Sequence, residues 1–159
     1  ASFDSISICF SKGLGAPVGS ALAGSRDFIK ETRRARKLFG AGIRQVGIIA
    51  ARALYAAQHN RQRLVVDHEH AQLLAAAVSA TPGLTLDPEP QTNIVVVHVA
   101  PELGTAAELS KWFAERGIGV MTFGPQLLRF VTHMDVSRAD IERACEVIQQ
   151  VSENAKCGV

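Results

Sequence analysis

Ser11-Lys12-Gly13-Leu14-Gly15-Ala16-Pro17-Val18-Gly19-Ser20 follows directly on the alternating stretch Ser5-Ile6-Ser7-Ile8-Cys9-Phe10. Period-two alternation of polar and apolar side chains predicts a strand over residues 5–10. That strand delivers one lysine, Lys12, into a loop with glycines on its C-terminal side. Glycine reaches positive φ and lets the backbone approach a ligand closely. A lysine held near apolar surface loses hydration of its charged form, so its pKa should fall, which is the condition for a Schiff-base lysine. Residue type and spacing alone leave a second reading open, a loop lysine directed to water. A P-loop is excluded, because the lysine precedes the glycines and no GxxxxGK[ST] occurs.

Outward from this segment, residues 18–23 are short and apolar and predict a strand returning from the loop. Ser25 is a good N-cap for a helix over residues 26–38, which Gly40-Ala41-Gly42 breaks. A long helix is expected from about residue 43 to 60 and another over residues 61–80, with a bend near Asn60. In the second, Leu64, Val65, Ala71, Leu74, Ala75 and Val78 recur at intervals of three and four. Thr81-Pro82-Gly83 and Asp87-Pro88-Glu89-Pro90 are breaks. A strand is expected over residues 93–99 and a helix over residues 105–116, closed by Gly117. Strands over 118–123 and 127–132 flank Gly124-Pro125. Ser137, with Asp140 as a capping-box partner, starts a helix to about residue 154, and the tail 155–159 is expected to fray. Two units follow. Residues 1–80 hold strand, loop, strand and helices. Residues 84–155 read as β-α-β-β-α, a small α+β lobe with a three-stranded sheet and helices on one face.

The composition limits the function classes. At 159 residues there is room for one ordinary domain or two small lobes. Seventeen basic and 15 acidic residues leave a net charge of +2, which is no electrostatic reason to invoke nucleic acid or an anionic membrane. Apolar runs such as residues 46–51 and 94–97 are too short to span a bilayer, and no signal-peptide pattern is visible. Cys9, Cys145 and Cys157 show neither paired nor metal-type spacing, which predicts reduced thiols in a cytoplasmic protein.

Two arginines complete the candidate chemistry. Arg44 follows the glycine-rich break and is read as lying inside the start of a helix, where a guanidinium and free backbone N–H groups together suit a phosphate. The alternative is a surface arginine. Arg129 sits in the apolar strand Leu127-Leu128-Arg129-Phe130-Val131. If both faces of that strand are covered it needs an anionic partner, and if one is open it faces water. Lys30, Arg33, Arg34, Arg36 and Lys37 read as a solvated helix face. His68 and His70 are two apart on a helix and point in different directions, so no metal site is expected. Asp67 and Glu69 read as surface charges, His133 as a core or interface histidine, and Cys9 as strand packing.

Phe10-Ser11-Lys12-Gly13-Leu14-Gly15-Ala16-Pro17-Val18-Gly19-Ser20 resembles the cofactor-lysine motif of the L-threonine aldolase family. The likeness continues in the same order through Gly24-Ser25-Arg26-Asp27-Phe28-Ile29, Arg36-Lys37 and Gly40-Ala41-Gly42-Ile43-Arg44-Gln45. It extends to Asp67-His68-Glu69-His70-Ala71 and Leu128-Arg129-Phe130-Val131-Thr132-His133. The resemblance implies an α/β fold of the aspartate aminotransferase-like, fold type I class. Residues 1–80 would be the C-terminal part of its large cofactor-binding domain and residues 84–155 its small α+β C-terminal domain. It implies pyridoxal 5'-phosphate as cofactor, held by Lys12 as the catalytic lysine and by Arg44 at the phosphate, with Arg129 gripping the substrate carboxylate.

The implied reaction is retro-aldol cleavage of L-threonine or L-allo-threonine to glycine and acetaldehyde. The implied assembly is a homodimer or homotetramer, with Arg44 reaching a neighbouring subunit's cofactor. Lys37 is placed near the active site. Ala41 and Ile43 depart from the three glycines and methionine usual in the family, which bears on loop flexibility and not on the arginine. The cofactor-stacking histidine, the aspartate at the pyridine nitrogen and the phosphate-binding segment belong to the family's N-terminal half. These 159 residues are therefore expected to be a fragment, or to be completed by a second polypeptide. Another fold type I lyase, and a truncated subunit that only packs against partners, are the alternatives.

Overall fold

The computed structural model describes residues 2–154. Cys157 and the expected frayed tail, residues 155–159, lie outside the described residues. The chain divides into two compact units, Ala1–Leu64 and Val65–Val159.

In the first unit, β1 (Ser5–Cys9) pairs antiparallel with β2 (Ser20–Gly24), in the register Ser5↔Gly24 to Cys9↔Ser20. The helix α1 (Arg26–Leu38) starts where Ser25 accepts a hydrogen bond from Phe28 N, as the cap residue predicts. It buries no residue, so its basic side chains are solvated. The next helix, α2 (Gly47–His59), starts four residues later than the sequence suggests. Gln45 takes φ 50°, a left-handed turn that a helix beginning at residue 43 would have to exclude. Among the described residues of this unit only Ala16, Ala53 and Ala56 are buried.

The second unit opens with α3 (Leu64–Ser79), whose apolar stripe packs on a sheet. The four strands are β3 (Leu84–Leu86), β4 (Ile94–Val99), β5 (Met121–Gly124) and β6 (Leu127–Val131), in the order β3-β4-β6-β5, all antiparallel. The sheet has four strands where three were expected. Leu84-Thr85-Leu86 is a three-residue edge strand between two proline breaks, too short for periodicity to reveal. It pairs because Gly83 (φ 84°) turns the chain back along β4.

β5 also starts later than expected. Gly117 and Ile118 instead finish α4 (Ala106–Glu115) in a Schellman closure, with Gly117 N donating to Ala114 O and Ile118 N donating to Phe113 O. The helix expected to run to residue 154 is two helices, α5 (Arg138–Gln149) and the one-turn α6 (Val151–Asn154).

One face of the sheet carries the core. Val95, Val97, Leu128 and Phe130 alternate inward against Ala71, Leu74 and Val78 of α3, Phe113 of α4, and Ile141 and Ile148 of α5. The Phe113 and Phe130 rings meet edge to face at 5.6 Å. The buried side chains of α3 belong to this core, and the compact units divide before α3.

Leu128→Ala removes a fully buried side chain and should destabilise the protein by about 2–5 kcal/mol in urea unfolding. Arg129→Gln, one residue away on the other face, should leave the midpoint nearly unchanged. Capping boxes Thr105/Glu108 and Ser137/Asp140 predict an acid sensitivity. Hydrogen bonds from the cap backbone and hydroxyl hold Glu108 below its ordinary 4.5, and those from the Ser137 hydroxyl and backbone hold Asp140 below 3.8. With folded values depressed, the caps contribute fully above the ordinary values and lose that contribution as pH falls through the depressed ones. Melting curves taken from pH 6 downward should therefore show a smaller acid loss in Glu108→Gln and Asp140→Asn than in the parent.

Candidate functional site

Lys12 and Arg44 belong to the first unit, and Arg129 belongs to the second. The lysine loop is held by its own backbone. Phe10 N donates to Gly19 O at 2.9 Å, Ala16 N to Phe10 O at 2.9 Å, and Gly15 N to Lys12 O at 2.7 Å. Gly15 and Gly19 sit at φ 71° and 120°, conformations that side chains resist. Asn60, at the end of α2, donates from Nδ2 to Leu14 O at 2.8 Å and ties the loop to that helix. A Cβ at Gly13 would come within 2.8 Å of Leu64 Cδ2, so the loop lies close against that side chain.

The result is a stiff loop that presents Lys12 exposed, and among the described residues its ammonium makes no hydrogen bond or ion pair. Of the two readings the sequence leaves open, the exposed position among the described residues is that of a loop lysine directed to water. The loop satisfies its own backbone and leaves the amine at the surface. Cys9, half-buried, contacts Ser11 Oγ at 3.2 Å. That side-chain hydrogen bond and the Ser11 backbone pull the thiol below its ordinary value, burial opposes them, and the Lys12 charge adds a smaller lowering.

Arg44 is exposed in the loop three residues ahead of Gly47, not inside the helix as the sequence suggests. Val46, the N-cap of α2, offers no side-chain hydrogen bond, so the first-turn N–H groups keep their capacity for an anion. A guanidinium beside an uncapped helix N-terminus has the donor chemistry that a phosphate requires.

Arg129 is half-buried on the sheet face opposite the core, directly across from Val96 and Met121. Its Nε is shut off from solvent and has no acceptor among the described residues. Its Nη2 rests 3.6 Å from Met121 Sδ, and its Cζ lies 5.7 Å from the Phe123 ring centroid. Thioether sulfur and an aromatic face are weak acceptors, so among the described residues this charge lacks a strong anionic partner. The two readings left open by the sequence resolve into an intermediate one: a strand with one open face, on which the arginine is still partly desolvated.

Asp67 is fully buried and His70 nearly so, which corrects the reading of Asp67 as a surface charge. A usable signal was present. Asp67 lies four, seven and eleven residues before Ala71, Leu74 and Val78, on the same helical stripe. The Asp67 carbonyl accepts from Thr132 Oγ1 at 2.6 Å, and Asn93 Nδ2 donates to Thr132 O at 2.8 Å, which clips the end of β6 to α3 and β4. Glu69 is exposed as expected. His133 is exposed and pairs with Asp135 at 3.5 Å when protonated, so it is not a core histidine of this chain. Among the described residues no cluster of His, Cys, Asp or Glu could hold a metal, and no helix is long and apolar enough to cross a membrane. Sequence reasoning missed Met121 and Phe123, because only the β5–β6 register places them beside Arg129.

The family model described as beta-eliminating lyase matches residues 1–102, which include the Lys12 loop and Arg44. The chain belongs to the beta-eliminating lyase family. Among its relatives, a low specificity L-threonine aldolase of Escherichia coli strain K12 is 41% identical over 138 residues, covering 87% of this chain and 40% of that protein. Low-specificity L-threonine aldolase 1 of Arabidopsis thaliana is 36% identical over 149 residues, covering 92% of this chain and 42% of that protein. A solved structure assigned as an L-allo-threonine aldolase, from Listeria monocytogenes, superposes with a TM-score of 0.71 at 25% identity, over 94% of this chain and 45% of that one. The chain thus spans about two fifths of the length of the curated relatives it matches.

This beta-eliminating lyase chain has the α/β architecture of part of a fold type I enzyme, as its sequence suggested. Pyridoxal phosphate is the cofactor of that family and fold. The donor set fits the group: a primary amine on a stiff glycine loop, and a guanidinium beside an uncapped helix N-terminus. The stiffness of the loop can be tested at Gly19, where a Cβ has room but φ 120° is strained. Gly19→Ala should cost roughly 1–3 kcal/mol in thermal or urea unfolding.

Proposed function

We propose that these residues form part of a pyridoxal-phosphate-dependent aldolase that cleaves L-threonine and L-allo-threonine to glycine and acetaldehyde. The observation that carries this reading is the free Lys12 amine at the exit of β1, on a glycine loop inside the family match. The similarity to threonine aldolases at 36% and 41% identity directs the choice of substrate. Bound pyridoxal phosphate supplies an electron sink for carbon–carbon cleavage, and the protein supplies orientation and charge.

Lys12 Nζ would hold the cofactor, and its amine would take up or return a proton at that position. Arg44 neutralises the cofactor phosphate, acting across a subunit interface in a homodimer or homotetramer. Arg129 binds the substrate carboxylate through charge-assisted hydrogen bonds, which fixes the orientation of the Cα–Cβ bond. Cys9 and Ser11, in contact just ahead of the lysine, are assigned no step. A cytoplasmic location belongs to the same reading, supported by the free thiols Cys9 and Cys145.

A second reading, a chain that packs against partners without catalysing, is favoured by how little of the first unit is buried. Borohydride reduction in the presence of pyridoxal phosphate, followed by mass-spectrometric mapping, separates the two. The aldolase reading expects one adduct, at Lys12, absent in Lys12→Ala. Scattered labelling of surface lysines would leave the packing reading standing. In the cofactor-loaded enzyme, Arg129→Gln should raise the KM for L-threonine roughly 10- to 100-fold, and an unchanged KM would remove Arg129 from the substrate site.

A further inference from the structure

The guanidinium of Arg129 is walled on one side by β5. Met121 stands directly opposite Arg129 in the ladder, with its sulfur against Nη2. Phe123 arrives by a different route. Thr122 pairs with Leu128 and Gly124 with Leu127, so Phe123 is the extra, unpaired residue of a β-bulge. Two residues after Met121 it shares the face of Met121 and Arg129, and from the bulge its ring lies 5.7 Å from the guanidinium carbon. Bulges are frequent beside functional sites.

Neither side chain is held there by burial. Met121 is 59% exposed and Phe123 63% exposed, yet both lie against a charge. Large apolar side chains left open on a sheet face, in contact with a partly desolvated arginine, are not explained by packing of the core on the other face. Their chemistry explains the contact. A thioether and an aromatic face attract a cation without neutralising it. An acidic residue in either place would hold the guanidinium more tightly and would compete with any incoming anion.

We propose that Phe123, with Met121 beside it, is a positioning residue for Arg129. Together they hold the guanidinium against the sheet, keep water from its rear edge and leave its charge free for a substrate carboxylate. The proposal rests on the reading of Arg129 as the carboxylate site and adds residues which that reading does not use. Displacing water on one side strengthens a charge-assisted hydrogen bond made on the other, because the local dielectric is lower.

The test is a double-mutant cycle in the cofactor-loaded enzyme, with glycine as the probe. Its dissociation constant is read from the cofactor absorbance and its binding heat by calorimetry. Phe123→Leu keeps an apolar side chain and removes the π-face. It should weaken glycine about three- to tenfold and shift the KM for L-threonine in the same proportion, with the change falling on KM and not on kcat. Phe123→Tyr, which keeps the ring, should restore parental binding. In an Arg129→Gln background Phe123→Leu should have no further effect, and 1-amino-2-propanol, which lacks the carboxylate, should bind the parent and Phe123→Leu equally. A glycine shift of equal size with and without Arg129, or a matching shift for the amino alcohol, would overturn the proposal. Arg129→Gln weakening glycine while Phe123→Leu does not would overturn it and leave Arg129 standing. No weakening by Arg129→Gln would remove Arg129 from the carboxylate site, and the proposal with it.

Discussion

The antiparallel pairing of β4 with β6 decides which face of the sheet each residue of β6 occupies. Side chains alternate along a strand, so a slip of one residue would turn Arg129 into the core and Leu128 out to solvent. The core forbids that slip. Leu128 is fully buried and Phe130 almost so, packed beside Val97 and Val95 against three helices. An unpaired guanidinium in their place would be far more costly than any gain in pairing. The bond from Thr132 to the Asp67 carbonyl and the exchange between Thr132 and Asn93 hold the end of the strand in the same register. The outward, half-buried position of Arg129 is therefore a consequence of hydrophobic packing on the other face, as is the row of β5 side chains beside it.

The first unit reaches order by another route. Among its described residues three alanines are buried, and large apolar side chains such as Ile6, Ile8, Ile48 and Leu54 remain exposed. Apolar surface on that scale calls for a covering surface. The lysine loop is nevertheless well defined, because its stability is local: backbone hydrogen bonds close it, two glycines accept the strained turns, and Asn60 ties it to α2. A site built this way can hold its shape while the scaffold around it awaits burial. The proposed chemistry divides along the same line, with the reactive amine on a self-contained loop and the carboxylate grip on a sheet held by a core.

Local signals in the sequence were read well where a single element decides its own structure. Ser25, Thr105 and Ser137 are N-caps as their positions predict, and Gly117 ends its helix as expected. The strand before Lys12 and the glycine loop after it are present. Residues 84–86 form a strand only because β4 offers an edge, and residues 43–46 stay out of a helix because Gln45 turns left-handed. Residue type alone puts Asp67 at the surface, although its place on the stripe of Ala71, Leu74 and Val78 points inward, where the structure has it.

By itself the sequence determined the periodicities, the caps, the glycine turns and the order Lys12, Arg44, Arg129, and its resemblance to a family attached chemistry to them. Only the tertiary structure decided that Lys12 is exposed, that Arg129 lies on the open face of the sheet with a desolvated Nε, and that Phe123 reaches it from a bulge. The physical reason is the range of the interactions. Caps and turns are set by contacts within a few residues, which local sequence encodes. Register, burial and the neighbours of a charge are set by residues far apart along the chain, such as Thr132 and Asp67, and are settled only when the sheet and its helices pack together.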